Sequence, residues 1–296
     1  MSAPSLGQIL FEAARPRTLP AGLAPVVTGT ALAVIDGAFH LLACLCAVLG
    51  ALAIQIGTNY ANDYFDNEKG ADTVDRVGPR RATQAGLVTP ATMRRAFVAA
   101  FAIAVVFGCY LVARGGWPVT AIGVSAVVCG VLYTGGPRPL GYLGLGDVFV
   151  LVFFGPVAVA GTHYVQTLAF SPLAAVAGLA PGLLSTGILT VNNLRDRHTD
   201  VGANKRTLAV RFGATFARVE YTVVVVAGLV TALVTGLLVN RGALLVLLCV
   251  PMAFGLVRRV WTTDGPSLNP MLGATGKLLL LMTATSTVGL LQDWVH

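Results

Sequence analysis

Two groups of acidic side chains stand at the ends of two long apolar stretches of the sequence, about 130 residues apart. The first runs from Asn62 to Asp66, with Asp72 and Asp75 close behind, and the second runs from Asn193 to Asp200. Carboxylates are costly to place near lipid, so ionisable groups there are candidates for a functional site. Two such groups on one apolar chain indicate a shared divalent-metal site, and such a site suits chemistry on a diphosphate.

The spacing of the carboxylates supports this interpretation. Asp63 and Asp66 are three residues apart, and Asp196 and Asp200 are four apart. Both spacings place the two side chains on one face if a helix continues through them. Two carboxylates that face one point bind either a shared proton or a cation. Mg²⁺ is the expected cation, because it prefers oxygen ligands and commonly joins carboxylates to substrate phosphates, and its charge reverses their repulsion of a diphosphate.

The elements that must position these residues are membrane-spanning helices. The chain has 296 residues, 55% hydrophobic and only 11% charged, whereas a soluble domain carries about 25% charged residues. Backbone polar groups in lipid must be satisfied internally, so apolar blocks of spanning length are expected to be helices. Nine blocks follow one another in a single domain covering residues 1–296: 19–38, 41–61, 93–113, 117–134, 146–167, 172–194, 216–238, 242–260 and 275–294.

The charge distribution predicts orientation. A net charge of +7 could indicate nucleic-acid binding. However, with nine spans and a cytoplasmic N-terminus, all of the 20 Lys and Arg residues except Arg114 and Arg241 fall on the cytoplasmic side. That bias follows the positive-inside rule. We therefore expect a multi-pass protein of the cell membrane, with lipid rather than nucleic acid around it and both acidic groups in cytoplasmic loops.

The two polar loops also form a weak internal repeat. Each begins with Asn and Asp at the end of an even-numbered block and continues into a basic stretch. This pattern predicts two four-helix halves with a ninth helix appended. Three prolines inside blocks are expected to kink their helices: Pro156, Pro181 and Pro251. The five cysteines lie in apolar blocks without metal-binding spacing, which is typical of small buried side chains: Cys44, Cys46, Cys109, Cys129 and Cys249.

In combination these motifs resemble the UbiA superfamily of intramembrane aromatic prenyltransferases. The resemblance is closest to the menaquinone-pathway branch that prenylates 1,4-dihydroxy-2-naphthoate. It rests on the following segments: Asn62–Asp66 with Gly70 and Asp72, Asn193–Asp196 with Asp200 and Lys205–Arg211, Ala14–Pro20, Arg76–Arg81, and Tyr142–Asp147. Two positions depart from the usual pattern. Gly70 stands where the wider superfamily often has Asp, and Asn204 stands where Gly is expected, although Asn tolerates left-handed backbone.

The resemblance implies an all-α protein with nine transmembrane helices around a central cavity that opens sideways to lipid. It implies a Mg²⁺-dependent transfer from polyprenyl diphosphate to 1,4-dihydroxy-2-naphthoate, with release of diphosphate and CO₂ and formation of demethylmenaquinone. Another aromatic acceptor, such as 4-hydroxybenzoate or homogentisate, is the alternative within the superfamily. A departing diphosphate stabilised by a metal and a dry cavity around the allylic cation agree with this chemistry.

Specific roles follow from the resemblance. The Mg²⁺ ligands are expected to be Asp63, Asp66, Asp196 and Asp200, with Asn62 and Asn193 beside them. The diphosphate cations are expected to be Lys205, Arg206, Arg80 and Arg138, while Arg15 or Arg17 holds the acceptor carboxylate. Tyr133 and Tyr64 are candidates to face the cation through their rings, and Asp147 to orient or deprotonate the acceptor hydroxyl. Helix capping and topogenic surface charge are the competing explanations for these residues.

Two other membrane functions fit the sequence less well. A transporter with a coupling ion predicts acids in mid-span, whereas nearly all acids here lie at span ends on one side. A transferase of the CDP-alcohol type requires Asp-Gly and Ala-Arg pairs within its acidic motif, and the segment 66–69 offers neither.

Overall fold

The computed structural model describes residues 4–71 and 77–292, and all regular structure in these ranges is helical. The helices are α1 (Leu6–Ala13), α2 (Leu19–Ile35), α3 (Leu41–Glu68), α4 (Pro90–Gly115), α5 (Trp117–Leu132), α6 (Gly146–Phe153), α7 (Pro156–Thr167), α8 (Pro172–Ala177), α9 (Leu179–Gly202), α10 (Leu208–Leu237), α11 (Val250–Thr262) and α12 (Asn269–Leu291). Short 3₁₀ segments precede α2, α11 and α12. Asp72, Asp75 and Arg76 lie outside the described residues.

The predicted nine spans correspond to the observed helices. Eight helical segments of the described chain are long and apolar enough to cross a membrane. The ninth, α5, is apolar but has only 16 residues, which gives a length of about 24 Å. The protein is therefore a multi-pass membrane protein, and its fourth span is shorter than the hydrocarbon core of a typical bilayer.

Three of the spans are interrupted where prolines were expected to kink them. Pro156, Pro181 and Pro251 each lie in the first turn of the second piece of a span, at the start of α7, α9 and α11. The breaks in the fifth and sixth spans touch each other. A Cβ atom added to Gly178 would lie 2.8 Å from the Gly155 carbonyl oxygen, so glycine allows the two backbones to approach this closely.

The packing of the helices supports the predicted two halves. The strongest contacts join α3 to α4 and α9 to α10, which are the helices on either side of the two polar loops. Helix α2 packs on α3, α7 and α12, while α12 also packs on α9. The ninth span therefore joins the first span to the second half and closes the bundle.

The polar ends of α3 and α9 explain both departures from the family pattern. α3 continues to Glu68 and α9 to Gly202, so each acidic pair lies on a helix as predicted. Gly70 ends α3 with φ +63°, and the next N–H, that of Ala71, donates to the Asp66 carbonyl at 2.9 Å. Asn204 adopts φ +55° after α9. Both residues thus supply the left-handed conformation that stops a helix.

Candidate active site

A cavity of about 760 Å³ lies among α2, α3, α4, α5, α6, α7 and α9. Most of its wall is apolar, and its polar end is formed by the last turns of α3 and α9 with the loops that follow them. The charged and amide side chains in the wall are Arg15, Gln55, Asn59, Asn62, Asp66, Arg81, Asn192, Asn193, Asp196, Asp200 and Lys205. The two acidic groups of the sequence therefore meet at one end of one cavity.

Asp66 is the centre of the polar end on the α3 side. Its Oδ2 atom accepts from Arg81 Nη2 at 3.1 Å and from Lys205 Nζ at 3.2 Å. Its Oδ1 atom accepts from the Tyr142 hydroxyl at 2.8 Å. Asp66 is 1% exposed. The two cations and the hydroxyl compensate the buried carboxylate, and these contacts join the first loop, the 142 turn and the second loop.

Two lysines flank the Tyr142 ring. Lys69 Nζ lies 5.0 Å and Lys205 Nζ 4.9 Å from the ring centroid, within the distance of a cation–π contact. Lys69 also donates to the carbonyls of Thr134 and Gly136 at 2.6 and 2.9 Å. Burial lowers the pKa of Lys69, and the neighbouring Lys205 lowers it further, although Asp66 opposes both effects. Lys69 was not among the residues predicted from the sequence, although its position three residues after Asp66 was an available signal.

The Tyr142–Asp147 motif holds the loop that carries Lys205. The Arg206 N–H donates to the Tyr142 carbonyl at 2.9 Å, and Arg211 Nη2 donates to the Leu143 carbonyl at 2.8 Å. Gly144 has φ +74°, and a Cβ atom there would lie 2.6 Å from the Arg206 carbonyl oxygen. The Arg206 residue is exposed and does not line the cavity. Arg206 therefore contributes to the structure of this loop through its backbone N–H and carbonyl groups.

Asp63 has a different environment from the other predicted metal ligands. Its Oδ2 and Oδ1 atoms accept from the backbone N–H groups of Ala82 and Thr83, both at 3.0 Å. It is 2% exposed and is not among the described residues of the cavity wall. Both carboxylate oxygens therefore hold the segment that carries Arg81, which places Arg81 against Asp66.

Arg81, rather than the predicted Arg80, is the arginine of this loop that reaches the site. Arg81 is buried, whereas Arg80 is exposed and directs its guanidinium to the Ala85 carbonyl at 3.5 Å. Adjacent arginines on an irregular loop point in different directions, and the sequence alone could not choose between them.

The α9 side contains a buried arginine that sequence reasoning also missed. Arg195 is 2% exposed, and its Nε atom donates to Asp196 Oδ1 at 2.7 Å. Its remaining nitrogens donate to Asn192 Oδ1 at 2.8 Å and to Asn269 Oδ1 at 3.0 Å. Arg195 therefore fixes Asp196 and ties α9 to α12. Asn193 and Asp200 line the cavity beside this pair.

The remaining predicted residues separate into two sets. Arg15 and Tyr133 line the cavity. Arg17, Tyr64, Arg138 and Asp147 are not among the described wall residues. Arg17 and Arg138 are exposed, while Tyr64 packs on Phe65 and Phe97 with ring centroids 5.0 and 5.6 Å away.

Asp147 follows Gly146, which packs directly against Tyr133. The Tyr133 hydroxyl is 2.7 Å from the position of a Cβ atom on the neighbouring Gly146. Asp147 is 6% exposed, and its carboxylate oxygens accept no hydrogen bond from another described side chain or backbone group. A hydroxyl in the cavity wall, Ser185 Oγ on α9, is likewise buried without a partner in the described structure. Ser185 was not among the residues predicted from the sequence, because a single serine in a span carries no signal.

The oxygen ligands of the described cavity wall suit a Mg²⁺ ion that is also coordinated by a diphosphate. They do not suit a metal site made of protein ligands alone. Among the described residues, no three His, Cys, Asp or Glu side chains are close enough to form one metal-binding group. The wall carboxylates instead occur as Asp66 beside Asn62 and as Asp196 and Asp200 beside Asn193. Mg²⁺ is commonly held by one or two carboxylates together with substrate phosphates, and this donor set suits that mode.

The fold and the site define a multi-pass helical membrane protein with a charged pocket at the end of an apolar cavity. The sequence profile of the UbiA prenyltransferase family matches residues 22–281. The chain belongs to the UbiA prenyltransferase family.

Individual proteins agree with this assignment. The chain is 37% identical to a 1,4-dihydroxy-2-naphthoate octaprenyltransferase of Escherichia coli K12, over 97% of this chain and 96% of that protein. It is 40% identical to the octaprenyltransferase of the same description from Mycobacterium tuberculosis H37Rv, over 94% of each chain. The solved structure of a UbiA homolog from Archaeoglobus fulgidus bound to GPP and Mg²⁺ superposes with a TM-score of 0.64 at 15% identity, covering 95% of this chain and 99% of that one. That likeness concerns the fold alone.

Proposed function

We propose that the protein transfers a polyprenyl group from polyprenyl diphosphate to 1,4-dihydroxy-2-naphthoate. Diphosphate and CO₂ are released, and the product is demethylmenaquinone, formed as its quinol. The observation that carries this proposal is one continuous cavity with a cationic and acidic end and a long apolar wall. A diphosphate with a prenyl tail has the same division between a charged head and an apolar chain. The naphthoate acceptor is supported by relatives that are 37 and 40% identical over nearly the whole chain.

The polar end binds the diphosphate. Lys205 and Arg81 supply cationic donors, and Asp66, Asp196 and Asp200 with the two amides are the residues that would hold Mg²⁺. When bound, Mg²⁺ supplies charge neutralisation of the leaving diphosphate as a Lewis acid. Lys205 sits on a loop tied to the 142 turn, so the protein positions this cation before the substrate enters.

The wall next to the polar end protects the reacting carbon. The C–O bond of the prenyl diphosphate breaks there, and the electron pair leaves with the diphosphate. Tyr133 stands in the wall at this end, where its ring can face an allylic cation. The apolar wall beyond it excludes water, which would otherwise capture the cation.

Arg15 is our candidate for the residue that holds the acceptor. It lines the cavity together with Asn59, whose Nδ2 atom fixes the Arg15 turn by donating to the Ala14 carbonyl at 2.8 Å. The guanidinium suits a carboxylate because its fork matches two oxygens. The ring carbon that bears this carboxylate forms the new C–C bond, and loss of CO₂ returns its electron pair to the ring. Asp147 remains our candidate for orienting the acceptor hydroxyl.

The polar end is proposed to face the cytoplasm, following the positive-inside bias of the loops. Gly202→Cys and Arg241→Cys, made separately in a cysteine-free background, test this. An impermeant thiol reagent applied to intact cells should label the second variant and spare the first. Labelling of the Gly202→Cys variant alone would reverse the orientation.

One assay distinguishes the proposed naphthoate acceptor from the other aromatic acceptors. Membranes that contain the protein are given radiolabelled farnesyl diphosphate, Mg²⁺ and each of three aromatic acids in turn. We expect transfer to 1,4-dihydroxy-2-naphthoate with release of CO₂. Transfer only to 4-hydroxybenzoate or homogentisate would support another acceptor, and no transfer to any acid would refute the proposal. For the transporter alternative, Glu220 lies inside α10, but it is not among the described cavity residues.

A further inference from the structure

The turn between α1 and α2 places a strained residue in the cavity wall. Arg15 lines the cavity and has φ +53° and ψ +69°, in the left-handed region that residues with a Cβ atom seldom adopt. It also precedes Pro16, and a residue before proline is biased towards extended backbone. A conformation that departs from both rules persists only where the surrounding structure enforces it.

The Thr18 side chain closes this turn from within. Its Oγ1 atom donates to the Arg15 carbonyl at 3.0 Å, and the Thr18 N–H donates to the same carbonyl at 2.9 Å. The Arg15 carbonyl therefore accepts two hydrogen bonds from one residue. These bonds fix the orientation of the peptide group that follows Arg15.

An amide on α3 fixes the peptide group on the other side of Arg15. Asn59 Nδ2 donates to the Ala14 carbonyl at 2.8 Å and to Thr18 Oγ1 at 3.3 Å. Gln55, one turn earlier on the same face of α3, donates from Nε2 to Thr18 Oγ1 at 3.4 Å. The orientations of the two flanking peptide groups define φ and ψ of the residue between them. Thr18 and Asn59 together therefore hold Arg15 in its left-handed conformation.

The burial of Asn59 agrees with this use of its side chain. Asn59 is 4% exposed within an apolar span, and a buried amide costs free energy unless it is hydrogen-bonded. Both of its N–H groups donate to oxygens of the Arg15 turn. Asn59 also lines the cavity, so its position alone would suggest a substrate contact, whereas its donors are directed at the protein.

We propose that Thr18 and Asn59 are positioning residues, which fix the backbone of Arg15 and thereby direct its guanidinium to the carboxylate of the acceptor. This inference rests on the proposed function, because it takes Arg15 to be the group that holds the naphthoate. It also gives the Ala14–Pro20 motif a physical role. A turn that is fixed before the acceptor binds spares the cost of ordering the arginine during binding.

Removal of the Thr18 hydroxyl tests the proposal. Thr18→Val keeps the shape of the side chain, and we expect the acceptor KM to rise about tenfold, as for a weakened charge-assisted contact. The donor KM should stay nearly unchanged. Thr18→Ser keeps the hydroxyl and should restore an acceptor KM close to that of the wild type. Asn59→Leu should act in the same direction as Thr18→Val.

Thr28→Val is the matched control. Thr28 lies on α2, is half-buried like Thr18, and donates its hydroxyl to the Ala24 carbonyl of its own helix at 3.0 Å. It is not among the described residues of the cavity wall. Its substitution should leave both KM values at those of the wild type. Thermal unfolding of every variant shows whether the fold is kept.

A double-mutant cycle separates positioning from direct contact with the acceptor. In the Arg15→Ala background, Thr18→Val should leave the acceptor KM where Arg15→Ala alone puts it, because the side chain that Thr18 positions is gone. If the Thr18 hydroxyl instead binds the acceptor itself, the effects of the two substitutions multiply.

The outcomes distinguish this proposal from the proposed function. If the wild type transfers no prenyl group to 1,4-dihydroxy-2-naphthoate, the proposed function is wrong. If it does, but folded Thr18→Val keeps the wild-type acceptor KM or its effect multiplies with that of Arg15→Ala, the positioning role is wrong and the function stands. An equal rise in Thr28→Val would also overturn the positioning role. Should Thr18→Val fail to fold, Asn59→Leu is judged by the same criteria.

Discussion

Adjacent arginines in the loop after α3 offer a sharp test of the site. We predict that Arg81→Ala strongly reduces prenyl transfer and that Arg80→Ala does not. The side chains of Arg81 and Asp66 are 8 and 2% exposed and lie 3.1 Å apart, so solvent screens their attraction little. Arg80 is exposed, and its contact is a long hydrogen bond to a carbonyl.

The size of the expected loss depends on which hydrogen-bond partners Asp66 keeps in Arg81→Ala. Removing one partner of a buried ion pair costs about 3–5 kcal/mol when the other charge is left alone. Here Lys205 and Tyr142 still donate to Asp66, so we expect the value for one charge-assisted hydrogen bond, about 1.5–3 kcal/mol. In kcat/KM this corresponds to a loss of roughly 10- to 150-fold. Arg81→Lys should recover part of it, because a point charge cannot reproduce the planar guanidinium.

The assay is initial-rate transfer from farnesyl diphosphate by purified protein, with thermal unfolding measured on the same samples. A loss of activity without loss of folding places Arg81 in the site. Full activity of Arg81→Ala, or an equal loss in Arg80→Ala, would refute this account of the loop.

Three further predictions concern other parts of the site. EDTA should abolish transfer and Mg²⁺ restore it, while Asp66→Asn should lower kcat/KM roughly a thousandfold or more; full activity in chelator would contradict the metal's role. Arg15→Ala should raise the acceptor KM about ten- to a hundredfold, as expected for one lost charge-assisted contact, and leave the donor KM nearly unchanged, with Arg17→Ala as the exposed control. If neither substitution changes acceptor kinetics, the acceptor is held elsewhere. Gly144→Ala should lower the affinity for the diphosphate by displacing the Lys205 loop, and a wild-type donor KM would show that the turn does not position this lysine.

The helical framework was predictable because its physical signal is strong. Blocks of about 20 apolar residues predict spans, and acids spaced three or four apart predict a shared helix face. Helices α3 and α9 follow both rules through their acidic ends. The prolines likewise fall at the breaks. The end of α5 was predicted less well. The predicted block ran to residue 134 and the helix ends at Leu132, because residues 133 and 134 carry no clear signal for the end of a helix.

The roles of single charged side chains were harder to predict because loop folding decides them. Asp63 bonds backbone groups 19 and 20 residues away, and nothing in its local sequence distinguishes it from Asp66. The contrast between Arg80 and Arg81 has the same origin. Cys109 was expected to be a small buried residue but is exposed, because a membrane protein presents apolar side chains outward as well as inward. The metal roles of the wall aspartates stay predictions.

The contacts of Asp66 have a further consequence for how ions exchange at the site. Its Oδ2 atom already accepts from two cations, Arg81 and Lys205. Any metal ion that approaches this oxygen competes with those resident charges and gains little by arriving alone. A metal ion that arrives together with an anion binds more favourably. The anion becomes a new partner for the Lys205 ammonium and the Arg81 guanidinium that the metal displaces. Cation and anion are therefore expected to enter this end of the protein cooperatively, each lowering the cost of accommodating the other.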